Sequence, residues 1–270
     1  MLNNIKTKSS YIFYLSCVVA FAGAVAAAQF VSLPVIISVF LLLIGVAAAV
    51  SNVQVKQGAA MTAAIMIGFP CYMKLSDYIQ VTLNESHEWS IIVSRAGLIG
   101  LLVPIILVQI GFKLHRQWLA PGSFAGPVYF PFILKGYIKD PVWRFLIIFT
   151  VITIFSFVWF IDWRKDTLGQ LLLYGIAFGL INGILEEILW RGYVLSGFTG
   201  MFGEIKGIFI AGTGFGFYHF HLGFGWEICL LFAVFGWMMS ALAVQSKGLL
   251  PVIIMHIIMN ILFVLSGMIF

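Results

Sequence analysis

Nine stretches of roughly 20 apolar residues, each long enough at ~1.5 Å per residue to cross a hydrocarbon core, punctuate this chain. They fall at 11–31, 33–50, 58–73, 90–112, 142–161, 168–190, 205–220, 226–244 and 249–269, the third and seventh being the shortest. Hydrocarbon offers no partner for a free N–H or C=O, so a spanning segment must satisfy its backbone internally or close into a barrel. Long unbroken apolar runs, without the alternation of barrel strands, choose the helix.

Composition agrees. With 62% hydrophobic and 9% charged residues among 270, the chain lacks the polar surface that keeps a soluble domain dispersed. The expectation is an all-α fold, a polytopic transmembrane helical bundle of about nine spans. Lys6 and Lys8 before the first run, and Ala26, Ala27 and Ala28 at its end, also fit a cleaved leader; the eight runs that follow favour a true span.

The cations sort by loop. Lys6, Lys8, Lys56, Lys113, Arg116, Lys135, Lys139, Arg144, Arg191, Lys206 and Lys247 fall on the side of the N-terminus, against Lys74, Arg164 and Lys165 opposite. By the positive-inside rule the N-terminus is cytoplasmic and the C-terminus is not; a multi-pass protein of the plasma membrane is expected. Asp77, Glu85, Glu88, Asp162, Asp166 and Glu227 gather on the far side. The net charge of +5 therefore reads as topology and attraction to anionic lipid, with no nucleic-acid partner. Cys17, Cys71 and Cys229 lie in apolar runs without ligand-like spacing and read as small buried hydrophobes.

The longest polar stretch, 113–141, holds Pro121, Gly122, Gly126, Pro127, Pro131 and Gly136 and cannot be one continuous helix. Its apolar core, 128–134, is too short to cross and suits the cytoplasmic interface. It divides an N-terminal four-span region, 1–112, from a C-terminal membrane bundle, 142–270. No internal repeat is evident. In the first region the one intramembrane charge, Arg95, reads as a snorkelling or loop-paired arginine.

Chemistry concentrates in the second region, where Glu186, Glu187, Arg191, His219, His256 and Asn260 are embedded in apolar sequence. Each ionisable group costs about 2.5 to 3.5 kcal/mol to insert, so such groups face the bundle interior and mark function. Gly175, Gly179, Gly183, Glu187 and Arg191 recur every four residues and form one stripe. The glycines admit a neighbouring helix closely, and Glu187 can pair with Arg191 one turn on. Glu186, about 100° to the side, is left less compensated, so the two acids should differ in protonation behaviour: one structural, one catalytic. Phe215 and His219 are one turn apart, as are His256 and Asn260. Together, Glu186, His219 and His256 would supply a base, a second proton-handling group and a polar wall for adding water to an amide. They would equally offer three ligands to a divalent metal such as zinc. His221 reads as interfacial, Trp226, Glu227 and Trp237 as boundary residues of the eighth span, and the phenylalanines as lipid-facing bulk.

The order Glu186-Glu187-x-x-x-Arg191, Phe215-x-x-x-His219, His256-x-x-x-Asn260 resembles the signature of the CPBP family of intramembrane proteases, which includes the type II CAAX prenyl endopeptidases and bacteriocin-immunity-associated proteins. The resemblance runs from about residue 167 to the C-terminus. It implies hydrolysis of a peptide bond in a membrane-associated peptide or lipidated protein, with Glu186 and His219 activating water and His256 and Asn260 serving as oxyanion or ligand groups. Metal-dependent and metal-free glutamate mechanisms both fit it. There is no H-E-x-x-H, no aspartate within a span for an aspartyl dyad, and no G-x-S-x-G elbow. Two other classes compete with proteolysis: a non-proteolytic immunity or membrane-binding protein, and a small proton-coupled transporter using the same acids and histidines as a relay.

One depth mismatch constrains the helices. A sixth helix ending at Trp190 would leave Glu186 ~6 Å from its end while His219 lay ~20 Å deep, so that helix must continue past Arg191 to about Phe198.

Overall fold

The structure, a computed structural model, describes the backbone of residues 2–83, 85–114 and 116–270 and the side chains of those from Tyr14 onward. Lys6 and Lys8, used in the charge count, lie outside the described side chains.

Each apolar run is a helix. The order is α1 (Leu2–Ala27), α2 (Leu33–Ala49), α3 (Val53–Leu83), α4 (His87–Ser94), α5 (Ile99–Gly111), a hairpin of β1 (Pro127–Phe132) and β2 (Lys135–Pro141), then α6 (Val142–Phe157), α7 (Leu168–Glu187), α8 (Leu195–Phe202), α9 (Glu204–Tyr218), α10 (Trp226–Ser246) and α11 (Leu250–Leu265). Five continuous helical segments among the described residues are long and apolar enough to span: Val53–Leu83, His87–Gly111, Val142–Phe160, Leu168–Phe202 and Trp226–Ser246. The apolar segments Tyr14–Ala27, Leu33–Ala49 and Leu250–Leu265 are shorter. The fold is an all-α bundle of an integral membrane protein.

The sixth span does run on past Arg191. A π-helical turn, Ile188–Val194, links α7 to α8 without a break; such turns insert one extra residue and recur at functional sites. The stretch 113–141 is not a helix but carries the antiparallel hairpin, with Val128 opposite Asp140 and Tyr129 opposite Lys139.

Two compact units interleave along the chain. One comprises residues 1–70, 101–116 and 193–240; the other 71–100, 117–192 and 241–270. In the first, amides reach between helices to backbone carbonyls: Gln29 Nε2 to Phe217 (2.9 Å), Gln54 Nε2 to Met201 (2.8 Å) and Gln109 Nε2 to Tyr193 (2.7 Å). Such bonds hold membrane helices together where lipid offers no hydrophobic drive. Gly212 and Gly216 let α9 lie on α10, since a Cβ at Gly216 would stand 2.4 Å from Ala233 N.

In the second unit, α7 packs along α11 and against α4 and the 3₁₀ turn Arg95–Leu98. The segment before the hairpin closes the turn between α10 and α11, where Leu249 N bonds Ala120 O and Ser123 N bonds Ser246 O. That approach requires Gly248, whose Cβ would meet Ala120 O at 2.3 Å.

Several expectations are corrected. Trp237 is not a boundary residue: it sits mid-α10, and its indole N–H reaches Phe209 O and Thr213 Oγ1. The phenylalanines are not all lipid-facing, for Phe21, Phe69, Phe178, Phe198 and Phe215 are buried. Cys71 is exposed on the protein surface, while Cys229 is buried.

Candidate active site

The glycine stripe brings α7 and α11 together. A Cβ at Gly175 would lie 3.2 Å from Ile261 Cα, at Gly179 3.1 Å from Ile257 O, and at Gly183 3.4 Å from Ile257 Cγ1 and 3.7 Å from Asn260 Nδ2. Where the stripe ends, Glu187 meets the same neighbour. Its Oε1 accepts from His256 Nδ1 at 2.7 Å and from Arg191 Nη1 at 2.8 Å, all three side chains being buried. A carboxylate cannot donate, so Nδ1 carries the proton in this bond and the imidazole is held with Nε2 turned away from Glu187.

Nε2 faces the other acid. Glu186 Oε2 stands 3.7 Å from it, beyond direct hydrogen bonding. Both Glu186 carboxylate oxygens are buried and make no hydrogen bond to the protein. The neighbouring acids thus differ as their positions on the helix require: Glu187 is held by a cation and an imidazole, and Glu186 has its acceptors uncommitted. Leaving such a group unpaired costs free energy, which the fold sustains within electrostatic reach of the Arg95 and Arg191 guanidinium groups.

Arg95 is the main correction. It neither snorkels nor pairs in a loop; Nη1 donates to Tyr72 Oη (3.1 Å), the guanidinium lies over the Phe178 ring at 5.4 Å, and its charge reaches Glu186. Close backbone packing delivers it there, since a Cβ at Gly97 would meet Ser76 N at 2.8 Å. An isolated charge in a bland region carries no sign of its partner when that partner lies about 90 residues ahead.

Asn182 was missed altogether. It is buried one turn before Glu186, and its Oδ1 makes no hydrogen bond to the protein. The i, i+4 spacing to Glu186 was the available signal. Asn260 also lies on this face of α11, its Nδ2 buried without a hydrogen-bond partner.

In the other unit, His219 ends α9 in a 3₁₀ turn. Its Nδ1 donates to Phe215 O at 2.7 Å, which explains the one-turn spacing of Phe215 and His219, and its ring stacks on Phe232 at 4.0 Å. His221 is half-buried, with its ring edge-on to Phe69 at 5.3 Å.

Residues 168–262 match the family model described as Type II CAAX prenyl endopeptidase Rce1-like. Over these residues the chain is similar to that family. The matched segment takes in Glu186, Glu187, Arg191, His219, His256 and Asn260, and it accounts for roughly a third of the chain. No curated protein and no solved structure matches the chain. Among the described residues, no three His, Cys, Asp or Glu side chains form a group that could hold a metal ion.

Proposed function

We propose that this protein is an intramembrane endopeptidase in which Glu186 is the general base that activates water toward a peptide bond of a membrane-associated peptide or lipidated protein. The observation that carries this reading is the division of labour between adjacent buried acids. Glu187 is engaged by Arg191 and His256, while Glu186 keeps two buried acceptor oxygens uncommitted beside His256 Nε2.

The chemistry is balanced by these groups. Glu186 takes a proton from water as the water oxygen bonds to the scissile carbonyl carbon. The carbonyl oxygen becomes an oxyanion, for which Asn260 Nδ2 is a buried donor without another partner. Collapse breaks the C–N bond, and the proton held by Glu186 passes to the leaving amine, giving an acid and an amine. His256 is fixed through Glu187 with its Nε2 toward Glu186. His219 enters the proposal on the family pattern alone, and the bond to Phe215 O makes its Nε2 the acceptor of the neutral ring. Charge distribution supports a cytoplasmic N-terminus.

The test is incubation of the purified protein in lipid with a peptide carrying a prenylated cysteine near its carboxyl end, and with its unprenylated twin. Each is run with and without chelator, and the products are read by mass spectrometry. Cleavage that Glu186→Gln lowers by about 10² or more is expected, and His219→Ala is expected to lower it too. Full biological activity in both variants, or solute flux in proteoliposomes that they abolish, would replace proteolysis with binding or transport.

A further inference from the structure

We infer that Asn182 is a further catalytic residue: its side-chain carbonyl holds the attacking water on Glu186, one turn away on the same helix. The inference rests on the endopeptidase reading and extends its active site by one residue.

Every fourth residue of α7 on this side is Tyr174, Phe178, Asn182 and Glu186, and all four are buried. The first two belong to an apolar cluster with Ile92 and Val264. At Asn182 the stripe turns polar, in the middle of the apolar run between Leu171 and Leu185. An asparagine retained as glue between membrane helices earns its place by bonding across the interface. Asn182 does not: it is 4% exposed, and its Oδ1 has no hydrogen-bond partner in the protein.

What these orphan atoms are decides what they can bind. Glu186 offers acceptors, Asn182 Oδ1 is an acceptor, and side chains four residues apart on a helix have Cβ atoms ~5–6 Å from one another. A ligand joining two acceptors at that spacing must be a small double donor, and water is one. With one O–H directed to Glu186 and the other to Asn182, the oxygen presents its lone pairs away from both, toward a carbonyl carbon. Glu186 removes the first proton as the O–C bond forms, and Asn182 keeps the second throughout, so no further proton acceptor is needed. Arg95 lies over Phe178, one turn before Asn182 on the same stripe, and within electrostatic reach of Glu186. The carboxylate keeps both oxygens open for the water while the amide fixes it.

Asn182→Leu tests this, because it removes an unbonded polar group while nearly preserving volume. The thermal midpoint in detergent should stay level or rise, whereas kcat on the prenylated fluorogenic peptide should fall on the order of 10²-fold with KM unchanged. Asn182→Gln is the second variant: it keeps the amide but displaces the oxygen by one methylene, and should lose kcat similarly. Undiminished kcat in Asn182→Leu, beside a wild type that cleaves and a Glu186→Gln that does not, overturns this inference alone. A drop in thermal midpoint that matches the lost turnover in both variants also overturns it, by making Asn182 a structural bond. No product from wild type overturns the endopeptidase reading and this inference with it.

Discussion

His256 Nδ1 donates to Glu187 Oε1 across 2.7 Å, tying α11 to a residue 69 positions earlier in the chain. Because the same oxygen also receives Arg191, Glu187 is the structural keystone of the cluster and Glu186 is not. Glu187→Leu strands a buried guanidinium, so it should cost about 3–5 kcal/mol. Glu186→Gln breaks no hydrogen bond within the protein and should leave unfolding nearly unchanged while removing turnover. Thermal or denaturant unfolding in detergent, set beside peptide cleavage, checks this opposition; equal destabilisation by both would contradict it.

The α7–α11 contact predicts a graded response along one stripe. Gly179→Leu drives a branched side chain into the Ile257 backbone, where even a Cβ would be 3.1 Å from the carbonyl oxygen. It should destabilise by about 1–3 kcal/mol and lower turnover by moving His256 off Glu187. Gly183→Ala meets the Ile257 side chain at 3.4 Å and should be nearly tolerated. Gly23→Ala, with nothing within 4 Å, is the silent control. A flat series would mean that the helices need not touch for the site to form.

Arg95 and Glu186 should be energetically coupled. Arg95→Leu removes a charge that reaches a carboxylate lacking hydrogen bonds, so its destabilisation should be smaller in a Glu186→Gln background. A double-mutant cycle on unfolding should give an interaction of about 0.5–3 kcal/mol. Strict additivity would return Arg95 to the snorkelling role that its place in an apolar run suggests.

Much of this was legible in the residues because lipid is so restrictive a solvent. Backbone satisfaction forces helices, so all nine apolar runs could be placed, and the depth mismatch between Glu186 and His219 already required the helix to pass Arg191. Local spacing also carried Glu187 to Arg191, four residues apart, and Phe215 to His219. Bonds between distant segments were another matter. Nothing in the sequence says that Glu187 rather than Glu186 takes His256, or that Arg95 turns inward, because both depend on which helices pack together and on small residues such as Gly97 that let them approach. The hairpin escaped notice for a different reason: prolines and glycines announce a break in helix without specifying the pairing of Val128 with Asp140.

That hairpin yields the last expectation. Its strand ends present Phe132, Ile138 and a fully open Tyr137, 99% exposed, interspersed with Lys135 and Lys139. Two exposed aromatics and an exposed aliphatic on one short hairpin would be costly in water, whereas tyrosine is favoured at the headgroup level. Lysines beside it can lay their stems on the apolar boundary and reach anionic phosphates, at about 1 kcal/mol each. Tyr137→Trp should therefore place an indole whose fluorescence is quenched by lipids brominated near the headgroup more than by lipids brominated near the chain ends. Lys135→Glu with Lys139→Glu should weaken that quenching in vesicles containing anionic lipid and leave it unchanged in neutral ones. Water-like emission, indifferent to brominated lipid of either kind, would put the hairpin in the aqueous phase and leave its exposed apolar residues to be covered by protein.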